Sequence, residues 1–281
     1  LHSPRRSRSL ASIALRVLLV VVALVVLGGV YAAIQLTRSV PQPVLRPTAS
    51  LPATMVVPGG RPSVPWPRSG QAAVALVGFG VLGSFGPARA VPLASLTKVM
   101  TALVVLHDHP LRSDQAGATL RMTPADEALY RAESVVGDSV TPVTAGERLT
   151  ELELLEMLLI PSADNVGPVL ARWDAGSDAA FVARMNSMAA RLGMHATHYT
   201  DENGLSSNTV GTALDQLKLA GAAAANPVLM SIVGQPAATL PDGTTLRNYD
   251  TLLGRNGVIG IKTGSTTAAG GCFMLAARGV V

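Results

Sequence analysis

Cysteine is almost missing: Cys272 is the only one in 281 residues. That excludes an internal disulfide and any zinc cluster built from several cysteines. The five histidines are scattered, without metal-ligand spacing, so no metal is expected. Aromatic residues make up 4% of the chain against 48% hydrophobic, so the core must be largely aliphatic. Acidic residues are absent from residues 1–69, which hold eight arginines. The rest of the chain therefore carries 14 basic and 18 acidic side chains, a net charge of −4, although the whole chain is at +4. A nucleic-acid partner is excluded, because the basic excess lies outside the domain-sized part. Lysine is scarce too: Lys98, Lys218 and Lys262 are three of 22 basic residues. A chain that otherwise uses arginine keeps lysine where a smaller, deprotonatable amine is needed.

Arg5, Arg6, Arg8 and Arg16 precede an uncharged apolar run, Val17 to Ile34. These 18 residues are long enough as a helix to cross most of a bilayer about 30 Å thick. The basic flank stays cytoplasmic, which sends the remainder outside. A cleaved signal peptide is the competing reading, but its apolar region is usually only about 7–15 residues. Residues 1–35 are thus expected to be a single-pass anchor or signal segment. Residues 36–70 follow as an extracytoplasmic linker; eight prolines between 35 and 69 prevent a sheet core or long helix. Residues 71–281 form the domain. Within it, Ala72–Val77 and Val81–Phe85 read as a hairpin around Gly78-Phe79-Gly80. Helices are expected at Ser95 to about Leu106, Thr150–Leu159, Phe181–Leu192 and Leu214–Ala225, the last stopped by Pro227. Strands return at Val258–Ile261 and Cys272–Ala277. Two strands, a helical insert and more strands suggest a sheet with helices packed on it.

Three short segments carry chemistry. In Ser95-Leu96-Thr97-Lys98, a helix opened by Ser95 would put Lys98 one turn along on the same face. The plain alternative is a helix-capping serine. A lysine in a first turn opposes the helix dipole, however, and reciprocal capping would want Glu or Gln. A locally unsuitable residue is often a functional one, and a neutral Lys98 could take the Ser95 proton. Lys262-Thr263-Gly264 offers a cation and a hydroxyl to a carboxylate, with Gly264 allowing close approach of a ligand backbone. Its plain alternative is a solvated edge-strand lysine. Ser162-Ala163-Asp164 follows Pro161. Ser162 could relay protons there, or simply sit in a turn.

Together, in this order and wide spacing, these segments resemble the S-x-x-K, S-x-N and K-T-G motifs of penicillin-recognising serine enzymes. More of the chain is similar to one branch, the D-alanyl-D-alanine carboxypeptidases related to low-molecular-weight penicillin-binding proteins. The similar blocks are Ala94–Ala102, Gly146–Thr150 running on to Leu158–Ser162, Asn203-Gly204-Leu205 with Thr212–Asp215, and Gly260–Thr266. The resemblance implies an α+β fold of the β-lactamase/transpeptidase type: an antiparallel sheet covered by helices plus a mostly helical subdomain. It implies Ser95 as nucleophile, Lys98 as general base and Ser162 as proton relay. Lys262, Thr263, Gly264 and Ser265 would bind substrate, with backbone N–H groups of Ser95 and Ser265 as oxyanion hole. The implied substrate is a peptidoglycan stem peptide ending in D-Ala-D-Ala, with β-lactams as inhibitors and no organic cofactor.

Two departures stand out. The family pattern has Asn where this chain has Asp164, with Asn165 next. Either Asn165 supplies the amide, or Asp164 is protonated or tolerated, or activity is impaired. An ionised Asp164 could also hold Lys98 protonated. The chain also begins at Leu1 and stops at Val281, where the family continues with another strand and a closing helix, so those elements are expected to be missing. The rival functions are a serine β-lactamase, for which Glu202 beside the Asn203-Gly204-Leu205 block is the candidate acid, and a non-catalytic wall-binding protein of the same fold. Glu202 is read as a surface loop residue. His107 and His109 are read as helix-end residues, His195 and His198 as solvent-facing, and Lys218 as an ordinary surface lysine. Trp173 is expected to fill the core at a helix end, and Trp66 to pack on the domain or remain free.

Overall fold

The computed structural model describes residues 10–38 and 64–279. The chain divides into two units, residues 1–59 and 60–281. In the first, one helix, α1 (Leu10–Thr37), contains the expected apolar run. Its segment Ser12–Thr37 has a mean hydropathy of 2.9 and buries none of its side chains in protein. At about 1.5 Å per residue it is long enough to cross a membrane. Most of the proline-rich segment lies outside the described residues.

The second unit opens with the hairpin β1 (Ala72–Leu76) and β2 (Gly80–Phe85). Packing starts ahead of Gln71, since Trp66 stacks on Phe85 with ring centroids 6.4 Å apart. Gly83 makes that possible: a Cβ there would come within 2.8 Å of the Trp66 ring. The chain continues through β3 (Val91–Pro92), α2 (Thr97–Asp108), β4 (Thr119–Arg121) and α3 (Pro124–Val136). Next come β5 (Arg148–Thr150), α4 (Glu151–Leu159), α5 (Gly167–Ala175) and α6 (Asp178–Arg191). Then follow β6 (Val210–Gly211), α7 (Ala213–Ala224), α8 (Pro227–Val233), β7 (Ala237–Thr239) and β8 (Thr245–Arg247). The long hairpin β9 (Val258–Thr266) and β10 (Gly270–Ala277) completes the order.

Local chemistry explains several boundaries. Thr123 caps α3 through a reciprocal pair with Asp126, and Thr150 caps α4 through one with Glu153. Each such cap contributes about 1 kcal/mol. Pro227 does not merely stop a helix as expected. It is the first residue of α8, where its missing N–H costs nothing, and Asn226 caps that helix. The expected helix start at Ser95 also shifts. Residues Ala94–Leu96 form a separate 3-10 turn, and α2 begins at Thr97 without a side-chain cap. The plain capping role for Ser95 therefore falls.

Helix α2 runs through the middle of the core, with every residue from Thr97 to Leu106 buried. It packs against α4, α5, α6 and α7. Its neighbours are aliphatic, among them Leu154, Leu155, Leu158 and Leu170, with Phe181 and Tyr199 as fully buried aromatics. Truncating a side chain such as Leu155 to Ala should cost about 2–5 kcal/mol. The ladders are all antiparallel, as the α+β class requires, but the described residues form five separate pairs: β1–β2, β3–β6, β4–β5, β7–β8 and β9–β10. Both β1 and β10 lie against α7.

Candidate active site

The 3-10 turn that carries Ser95 is held from two sides. Gly204 (φ +88°) packs on it so closely that a Cβ would lie 1.9 Å from the Ala94 carbonyl oxygen. Thr97 Oγ1 donates to that same oxygen at 2.8 Å. Across from it, a Cβ on Gly264 would come within 2.9 Å of the Ser95 nitrogen. Gly264 was expected to admit a ligand backbone. It admits the chain's own Ser95 turn, which brings strand β9 against the serine. Only glycine fits at these two contacts.

Lys98 lies one turn from Ser95 and is completely buried. Its Nζ donates to Ser95 Oγ at 3.0 Å, to Asp164 Oδ1 at 2.6 Å and to the Asn203 backbone oxygen at 2.9 Å. Three acceptors match the three donors of an ammonium group. The second oxygen of Asp164 accepts from the Ser139 N–H at 3.1 Å. Burial raises the Asp164 carboxyl above its ordinary value, and the nearby Lys98 charge opposes that only in part.

Asn165 does not supply the amide that Asp164 lacks. Its Nδ2 donates to the Thr141 oxygen at 3.0 Å, its Oδ1 accepts from the Thr141 N–H at 3.1 Å, and it is buried. That expected substrate contact is corrected: the side chain secures the 138–143 loop. Ser162 is 4% exposed, and its Oγ has no hydrogen-bond partner. Its φ of +64° is in the left-handed region, a conformation that costs a non-glycine residue about 1–3 kcal/mol.

Lys262 is buried, which removes the solvated-lysine alternative. Its Nζ donates to the Thr263 backbone oxygen at 2.9 Å. Burial, then the charge of Lys98, push this amine down to about 7, against the pull of Asp164 and Asp250. Thr263 and Gly264 are half-buried on β9, and Ser265 is exposed further along it.

Glu202 is not the surface residue that was expected. It is 6% exposed, and burial pushes its carboxyl up to about 7. Gly167 leaves room for it, since a Cβ there would lie 3.1 Å from Glu202 Cγ. The other charges it feels are Asp178 and Arg172, on α6 and α5, and its neighbour Asp201. Two contributors were missed in the sequence. Asn203 acts through its carbonyl on Lys98, and the only available signal was the Asn203-Gly204-Leu205 block itself. Glu133, at the end of α3, has its carboxyl pushed up to about 7 by burial and by Asp164 and Asp138. No motif marked it.

Solved structures show the same architecture. The structure of the Streptomyces K15 DD-transpeptidase superposes with a TM-score of 0.65 at 26% identity, covering 74% of this chain and 84% of that one. The fold is therefore that of the penicillin-binding DD-peptidases. The profile of the D-alanyl-D-alanine carboxypeptidase family matches residues 80–279, and the chain belongs to that family. It is 38% identical over 197 residues to the D-alanyl-D-alanine carboxypeptidase DacB2 of Mycobacterium tuberculosis, over 67% of this chain and 63% of that protein. It is 33% identical over 205 residues to a D-alanyl-D-alanine endopeptidase of Pseudomonas aeruginosa, over 69% of this chain and 62% of that protein. The chain thus spans less than two thirds of the length of these curated relatives.

Proposed function

We propose that the protein is a serine-type D-Ala-D-Ala carboxypeptidase that removes the terminal D-alanine of peptidoglycan stem peptides. The observation that carries this reading is the Ser95–Lys98 contact, fixed by Asp164 and the Asn203 carbonyl. Two of the three Nζ directions serve those two acceptors, and the third faces Ser95 Oγ. Losing one proton turns that third direction from a donor into a lone pair for the Ser95 hydrogen, without moving the amine. Ser95 Oγ then bonds to the carbonyl carbon between the two D-alanines while its proton passes to Lys98. Backbone N–H groups of Ser95 and Ser265 stabilise the oxyanion. Lys262 and Thr263 hold the terminal carboxylate. The C–N bond breaks as Ser162 passes a proton to the leaving amine. Water next adds to the ester, releasing the shortened peptide and restoring the Ser95 hydroxyl. A β-lactam would follow the first half of this course and leave a slowly cleared acyl group. Residues 1–35 would anchor the enzyme or direct its export, residues 36–70 would span outward, and residues 71–281 would act outside the cell membrane.

Mass spectrometry after exposure to penicillin tests the reading. One slowly cleared adduct on Ser95 is expected, and a folded sample without an adduct would overturn it. Rapid penicillin turnover would favour a serine β-lactamase. Glu202 gives that rival little support: its carboxyl is buried beside Gly167, and the described hydrogen bonds of Lys98 do not include it. The buried Lys98–Asp164 pair favours a second reading, a wall-binding protein in which the base is held as a cation. Gain of labelling in Asp164→Asn alone would select it.

A further inference from the structure

A separate open cleft of about 570 Å³ lies between the loop after α2 and the start of α4. Its walls include His109, Leu111, Gly117, Glu151 and Trp173. None of these belongs to the site built around Ser95. The His109 and Trp173 rings stack with centroids 4.0 Å apart at 27°, so one wall is aromatic. Glu151 is 2% exposed, yet its Oε1 has no hydrogen-bond partner. Gly117 (φ +76°) arches over this carboxylate, where a Cβ would lie 2.4 Å from Oε2.

The charges nearby are already committed. Arg184 Nη1 is shared between Asp108 Oδ2 at 2.6 Å and Asp174 Oδ2 at 3.0 Å. His109 Nε2 faces Asp174 Oδ1 at 3.0 Å. Among the described residues no side chain forms an ion pair with Glu151; burial raises its carboxyl above the ordinary value, and the Ala118 backbone and the His109 charge oppose that only in part. A donor-rich cation beside an aromatic ring would satisfy both the open acceptor and the ring face. Among the described residues no group of three or more His, Cys, Asp or Glu is arranged to hold a metal ion, and the aromatic wall suits an organic cation.

We propose that this cleft is a second ligand site, which binds an alkylammonium group against Glu151 and Trp173. The amine could be a free small molecule or the side-chain amine of a peptide. Trp66 and Trp173 are the only tryptophans, so a Trp66→Phe chain reports from Trp173 alone. The full chain carrying that change, in neutral detergent, is titrated with n-butylammonium chloride and separately with N-acetyl-lysine methylamide, against matched sodium chloride. A saturable change in Trp173 emission is expected. Saturation by both amines supports a site open to free amines, and saturation by the lysine amide alone supports a peptide site. Glu151→Gln should weaken binding at least tenfold. Because that change also touches the loop contacts, Ala116→Leu, which fills the cleft from its exposed rim, should do the same. Cooperative thermal unfolding checks that each variant is folded. No saturable response overturns the proposal, as does unchanged affinity in both folded variants. Neither readout depends on Ser95 chemistry.

Discussion

Lys98 and Lys262 are both buried amines, yet their surroundings are opposite. Lys98 meets a carboxylate, a backbone carbonyl and a hydroxyl, all within 3.0 Å. Lys262 donates to one backbone oxygen, on its own neighbour, and among the described residues no carboxylate forms an ion pair with it. Burial penalises the charge of each, but Lys98 has direct partners that offset the penalty, whereas Lys262 feels Asp164 and Asp250 only at a distance. Lys262 is left as the easily deprotonated amine, pushed down to about 7. In the proposed mechanism it would become a firm cation when a substrate carboxylate arrived. The helix-borne lysine is already fully partnered, and the strand-borne lysine has one backbone oxygen.

The sharpest way to break this contrast is Lys98→Met. Labelling of Ser95 by penicillin should fall roughly 10²–10⁴-fold, the usual worth of a general base. The variant also strands Asp164 in the core, a defect of about 3–5 kcal/mol visible in urea unfolding. Combining it with Asp164→Leu should recover stability but not labelling.

Lys262→Met should slow labelling less, by about 10–100-fold, the value of a charge-assisted hydrogen bond. Its effect on stability has the opposite sign. Lys262 titrates near 10.5 when unfolded and about 7 when folded, so the folded chain has shed a proton that the unfolded chain keeps between those values. Stability from this group therefore rises as pH increases from about 7 toward 10.5 and is lost on acidification through that window. The methionine variant should lose that slope in urea midpoints measured at pH 7 and 9.5. An unchanged slope would show that Lys262 is not the deprotonated amine.

Asp164→Asn tests the pre-organised half more gently. Removing the carboxylate charge loosens the hold on the Lys98 ammonium. Labelling measured at one fixed pH should then rise by up to roughly tenfold, the worth of one charge-assisted hydrogen bond. A rate identical to the parent would show that the ion pair does not limit acylation.

Glu202→Gln should change labelling least, within about twofold, because Glu202 contacts α2 through its backbone oxygen, which accepts from Thr101, and not through its carboxyl. Its folded value is raised from 4.5 to about 7, so the folded chain keeps a proton that the unfolded chain loses. Stability from Glu202 falls as pH rises from 4.5 toward 7, and the glutamine variant should flatten that fall. A large loss of labelling instead would bring Glu202 into the chemistry.

Much of this was legible in the chain. The first hairpin, α4, α6, α7 and the last two strands follow from periodicity and turn residues, and Ser95 and Lys98 follow from their spacing. Other elements were hidden for identifiable reasons. Helix α3 carries apolar residues at helical spacing, Ala125, Leu129, Ala132 and Val136, but it is largely exposed, with Asp126 its one buried residue, so a search for core-forming runs passes over it. Helix α5 follows Pro161 within a few residues, which reads as a break. The caps at Thr123 and Asn226 are local signals that a search for apolar faces passes over. Glu202 was misread because a charged loop residue is normally exposed, and only the fold shows Gly167 making room for it.

By itself the sequence determined the covalent inventory: an apolar helix behind arginines, a proline-rich segment, an aliphatic core, and lysines at 98 and 262 in a chain that prefers arginine. These depend on residue type and short-range spacing, which a chain carries before it folds. Tertiary structure decided the electrostatics. It set Asp164 and the Asn203 carbonyl on Lys98, turned Asn165 away to Thr141, left Lys262 without an ion pair and buried Glu202. Charge state depends on burial and on partners up to 105 residues away in the chain, and neither exists until the core closes.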